Sequence, residues 1–175
     1  MQGEFSSASA IRQGIISGQE VIESMPNFVY KDLPKTLPNL DKEIIYSIIT
    51  KSAKQLKNLP DVSEGLENRI YNLAEQNYTF DNLIKQLCTK RYTKTRLQRI
   101  LTNNLLGIDK KLLKIAKKTT PYVRVLAIKK DKLKLLGELS KTCTLITKYS
   151  DIVKLNKNQK LLFNKDILSC QVYSK

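Results

Sequence analysis

The sequence predicts a mainly α protein: a helical module with a small β-α-β unit near the C-terminus. Three observations carry that expectation. Apolar residues recur at three- and four-residue spacing from Ile44 to Leu105. Breakers such as Pro60, Gly107 and Pro121 fall between those stripes. After Pro121 the period changes, and two β-branched runs flank one helical pattern.

Each element has its own local warrant. Ser6 to Arg12 opens a short helix, because serines that can cap free amides precede Ile11, Ile15 and Ile16, and Gly18 stops it. Pro26, Pro34 and Pro38 make residues 24–40 an extended connector or hinge. A helix from Asp41 to Leu56 puts Ile44, Ile45, Ile48 and Ile49 on one face, and Asn58-Leu59-Pro60 ends it. Asp61 and Glu64 stand at capping-box spacing before a helix through Leu66, Ile70, Leu73 and Ala74. Phe80, Leu83, Ile84 and Leu87 form the next stripe. Thr95 and Gln98 repeat the capping-box spacing ahead of Leu97, Ile100, Leu101 and Leu105. Asp109 to Lys118 is a short, very basic helix. Strands are expected at 122–128 and 142–147, joined by a helix at 131–140, with two further short helices near 149–155 and 158–170.

Composition narrows the function. The 175 residues are 41% hydrophobic and 27% charged, enough for a real core under a polar surface. The formal net charge of +15 is polarised. Residues 1–80 carry eight Lys/Arg against ten acids, net −2, and residues 81–175 carry 23 against six, net +17. That imbalance predicts an anionic partner for the second half, nucleic acid before membrane. Histidine is absent, and Cys88, Cys143 and Cys170 are widely spaced, so no metal site and no catalytic residue are assigned. The amino-terminal MQGEFSSASA lacks an apolar leader segment, and no run approaches the length of a membrane span; a cytoplasmic protein with no membrane partner is expected.

The densest basic stretch is KRYTKTRLQRI, residues 90–100, with five cations and no acid. It reads either as a solvated helix start or as a grip for an anion. At about 100° per residue, Arg96, Arg99 and Asn103 face away from Leu97, Ile100 and Leu101. Lys90, Arg91 and Lys94 stand at a helix amino terminus, where free amides welcome phosphate. Tyr92 is expected to stack on an exposed base. Glu64 and Glu67 share a helix face; as catalytic carboxylates they would need a cleft and an acceptor, and the favoured structural reading has Glu67 pairing with an arginine of the basic helix. Ser6 to Arg12 admits a phosphate-binding reading beside the plain cap.

SSASAIR is similar to the serine-rich I-R signature that closes the nucleotide site of HIGH-type nucleotidyltransferases. The succession EGLENRI (64–70), TKRYTKTRLQRI (89–100) and PYVRVLAI (121–128) resembles the bacterial tRNA(Met) cytidine acetate ligase family over nearly the whole chain. The resemblance implies an ATP-dependent ligase that forms acetyl-adenylate and acetylates the N4 amine of the wobble cytidine of elongator tRNA-Met. It assigns Ser7, Ser9 and Arg12 to the nucleotide, and Lys90, Arg91, Tyr92, Lys94, Arg96 and Arg99 to tRNA. The family's catalytic domain begins with an H-x-G-H segment, which this chain does not contain. The expectation is therefore the carboxy-terminal portion: residues 1–30 as the end of the nucleotidyltransferase domain and connector, 31–118 as the tRNA-binding module, and 119–175 as a small α/β subdomain. ATP belongs to the full-length family, no cofactor is expected for this chain alone, and a separate amino-terminal catalytic domain is the expected partner. The alternative is a basic protein–protein assembly module without catalytic activity.

Overall fold

The computed structural model describes residues 7–19, 39–77 and 79–174. They fall into two compact units, Met1–Asn39 and Leu40–Lys175. The first contains α1 (Ala8–Ser17), where the Ser7 Oγ accepts the Ala10 N–H at 3.2 Å. Gly18 ends it at φ 71, a left-handed conformation that favours glycine. Most of the expected connector, residues 24–38, lies outside the described residues.

In the second unit, α2 (Asp41–Ile49), α3 (Ala53–Leu56), α4 (Leu66–Ala74), α5 (Phe80–Leu87) and α6 (Lys94–Leu105) enclose one core. Ile48, Leu56, Ile70, Leu83, Leu87, Leu97 and Ile100 are fully buried there. Each such side chain contributes about 1.5–3 kcal/mol by leaving water. α6 packs on α2 and α5, while α4 packs on α2, α3 and α5.

Local capping differs from expectation in three places. The single helix expected over 41–56 is two helices, because Ser52 and Gln55 form a reciprocal capping box that starts α3. The box expected from Asp61 and Glu64 does not form: α4 starts after Gly65 at φ 81, with no side-chain cap. Nor does the Thr95–Gln98 box, since α6 begins at Lys94 after Thr93 without one.

α7 (Lys110–Lys118) is capped by Asp109, whose Oδ1 accepts the Leu112 N–H at 2.7 Å. A smaller core follows. β1 (Tyr122–Arg124) and β2 (Thr144–Ile146) pair in parallel, with Tyr122 opposite Thr144 and Arg124 opposite Ile146. α8 (Lys134–Ser140) lies between them in the chain and packs on β2. Ile146, Leu155 and Phe163 are buried beneath, with Phe163 supplied by α9 (Lys157–Tyr173). The helix expected at 149–155 is a 3₁₀ turn, Tyr149–Lys154. Inside it the Asp151 carboxylate accepts both the Thr147 N–H and hydroxyl at 2.9 Å and the Lys148 N–H at 3.2 Å. The Lys154 ammonium at 2.8 Å, together with those donors, holds the Asp151 pKa well below the carboxylate range.

The mainly α class needs correction. The described sheet is parallel and its strands are joined through a helix, the connection on which α/β folds are built. Helices dominate the described residues, so the chain fits an α/β fold only in part. No helix among the described residues is long and apolar enough to cross a membrane.

Candidate nucleic-acid interface

The basic block meets the loop before α4. Asp61 and Glu64 both adopt positive φ, 63 and 56, which non-glycine residues rarely do. The arginines hold both. Arg99 donates through Nε and Nη2 to the Asp61 Oδ2 at 2.9 and 2.8 Å. The Arg96 Nη2 donates to the Asp61 carbonyl at 2.6 Å, and Arg91 forms an ion pair with Glu64. The acids that could have capped α4 therefore serve as partners for the block.

Tyr92 differs from its expected role. The ring is only 8% exposed and belongs to the main core. Its hydroxyl donates to the Ser63 carbonyl at 3.1 Å, and the Arg96 guanidinium lies 4.9 Å above the ring centre. Stacking on a nucleobase needs an open face, and this ring is packed instead as the platform under Arg96. Glu67 also departs from expectation. It is buried, its Oε2 has no hydrogen-bond partner, and the acids that reach the block are Asp61 and Glu64.

Other cations are committed inside the fold. Lys51 donates to the Asn104 carbonyl and Oδ1 at 2.9 and 2.7 Å, while Asn104 donates to the Ser47 carbonyl and hydroxyl. Burial and the nearby Lys165 ammonium lower the Lys51 pKa. Lys165 donates to the Leu106 carbonyl and Lys110 to the carbonyls of Lys57 and Val62. Apart from the Val62 carbonyl, the backbone acceptors these lysines satisfy lie where helices end.

Exposed lysines without an ion pair or side-chain hydrogen bond among the described residues include Lys90 and Lys94 of the block, and Lys111, Lys114, Lys117 and Lys118 of α7, where four cluster on one short helix. The lysines of α7 share an arc of roughly 120°, opposite Leu112 and Ala116. KKLLKIAKK is amphipathic in the sequence itself, so this lysine face was legible there, although the block drew the assignment.

In the amino-terminal unit, Ser7, Ser9 and Arg12 are all exposed. Ser9 and Arg12 stand one turn apart on one side of α1, and neither has a partner among the described residues. Two hydroxyls and a guanidinium at a helix start fit an anionic oxygen cluster such as a phosphate.

The HIGH Nucleotidyl Transferase family matches across residues 1–175, and the chain belongs to that family. Its fold is α/β, which overturns the mainly α class expected from the sequence. Among relatives, the tRNA(Met) cytidine acetate ligase of Clostridium perfringens is 34% identical over 182 residues, covering 99% of this chain and 44% of that protein. That of Acetivibrio thermocellus is 33% identical over 173 residues, covering 87% and 41%. Thermotoga maritima TmcAL bound with alpha-thio ATP shares the fold with TM-score 0.86 at 21% identity, covering 99% of this chain and 48% of that one. Its apo form gives 0.85 at 22% identity, covering 99% and 47%. The chain thus spans less than half the length of the curated relatives it matches.

Proposed function

We propose that this chain is the carboxy-terminal, tRNA-docking portion of a tRNA(Met) cytidine acetate ligase-like protein. The observation that carries the reading is the concentration of unpartnered lysines on α7 and at Lys90 and Lys94, in a half-chain of net +17. Polyanion binding is driven by such free cations, whose phosphate contacts release counterions. In this account Lys90, Lys94 and the α7 lysines meet phosphates. Arg91, Arg96 and Arg99 shape the loop beside them and lend their remaining donors. Tyr92 positions Arg96.

The division into an amino-terminal nucleotide edge (1–30), a helical tRNA module (31–118) and a small α/β subdomain (119–175) belongs to the same proposal. ATP supplies the adenylate that activates acetate in this reading. Ser7, Ser9 and Arg12 would hold part of its phosphates, the hydroxyls donating and the guanidinium pairing. A catalytic domain supplied alongside completes the ligase, and the chain by itself forms no acetyl-adenylate. The working place of such a protein is the cytoplasm, on elongator tRNA-Met. The test is tRNA affinity across a salt series: docking requires a steep linear fall of log K with log[salt], and a flat response overturns it.

A further inference from the structure

An exposed aromatic beside cations lies outside the block. Tyr149 is 67% exposed and begins the 3₁₀ turn after β2. It lines a cavity of about 260 Å³ at the carboxyl ends of β1 and β2, with Arg124, Leu126, Lys148 and Phe163. Crevices outside the carboxyl ends of parallel strands are where α/β proteins place ligands. The volume falls just short of the roughly 300–1,000 Å³ of drug-sized sites, which suits one flat ring system.

The walls have the chemistry of a base-binding step. Phe163 forms a closed floor, with the Tyr149 ring 6.4 Å away at 46° and the Tyr122 ring edge-on at 6.0 Å. Leu126 is 84% exposed on the same cavity, an apolar side chain that packing within the chain leaves open. The acids nearby are already engaged. Asp151 is buried among its four donors, and Asp166 is paired with Arg124 at 2.5 Å. Lys148 holds no ion pair among the described residues, so the rim is net positive.

We infer that this cavity takes an unpaired nucleotide of an RNA strand, with the base against Tyr149 and Leu126 and its phosphate near Lys148 and Arg124. The inference rests on the tRNA-docking reading, since it names where a base leaves the stack on a surface that holds the backbone. Aromatic faces accept any base, so the site selects single-stranded over paired RNA rather than a sequence.

The experiment uses the full chain with two probes, a short single-stranded oligocytidylate and a blunt RNA duplex. Tyr149→Ala should lower affinity for the single strand about 5- to 150-fold while duplex affinity and the salt slope stay unchanged. Tyr149→Phe should keep wild-type affinity. Lys148→Ala, an independent variant, should reduce the magnitude of the single-strand salt slope by about 0.7. Single-strand binding by folded Tyr149→Ala at the wild-type level overturns the site while leaving docking intact. Equal losses for the Phe and Ala variants overturn the stacking assignment. A wild-type chain that binds neither probe overturns the docking reading, and the site with it.

Discussion

Replacing Arg96 and Arg99 by lysine separates two roles that replacement by alanine confounds. Lysine keeps the charge but lacks the planar fork. Arg99 holds the Asp61 carboxylate through two donors, in a pair whose members are 61% and 42% exposed, a contribution of about 0–1 kcal/mol. Arg96 adds one hydrogen bond to the Asp61 carbonyl and a cation–π contact over Tyr92, each about 0.5–1 kcal/mol. Together they restrain Asp61 at φ 63. The Lys/Lys variant should therefore lose about 1–2 kcal/mol of unfolding free energy in a urea titration while keeping the wild-type salt slope for tRNA. The Ala/Ala variant should lose similar stability, and its slope should flatten by up to about 1.4 if both guanidinium groups also meet phosphate. A Lys/Lys variant as stable as wild type would refute the restraint of Asp61 by the two arginines. The arginines would then be ordinary surface cations.

Asn104→Ala removes three side-chain hydrogen bonds from a residue that is 1% exposed, including the one from Lys51. It should cost about 2–4 kcal/mol, read as a fall of roughly 10 °C in Tm. Glu67→Gln removes a buried carboxylate whose Oε2 has no partner, and should raise unfolding free energy by up to about 1 kcal/mol; a loss above that would reveal a partner for the charge. Asp151 gives a pH signature. Its folded pKa is lowered, so its contribution is complete above about pH 4, the ordinary carboxylate value, and is lost as pH falls through the folded value. Asp151→Asn should flatten the acid limb of a pH–stability curve, and an unchanged limb would place the acid sensitivity elsewhere.

Much of the helical core was readable because it depends on local periodicity. The stripes through Ile48, Ile70, Leu83 and Ile100 follow from 3.6-residue spacing, and all four are buried. The α1 cap and the Gly18 stop follow from residue types at the ends. The interface was harder because its decisive contacts are distant in sequence. Asp61 and Glu64 match a local capping rule, yet arginines 27 to 38 residues away claim them. Nothing near Tyr92 signals burial, since its neighbours are cations and threonines. The Ser52–Gln55 box was visible by spacing but hidden inside an apolar stripe long enough to suggest one helix. The class misled for another reason. The two strands are three residues each, too short to outweigh the helical stripes around them.

Whether free lysines grip a tRNA backbone is decided by neutralising the lysine face of α7. Lys111, Lys114, Lys117 and Lys118 changed together to Ala should leave the unit folded, since all four are exposed and alanine favours helix. In a salt series against tRNA, the slope should be smaller in magnitude by about 0.7 for each lysine that meets a phosphate, up to about 3 for the set. A quadruple variant that binds tRNA with wild-type affinity and slope would contradict it.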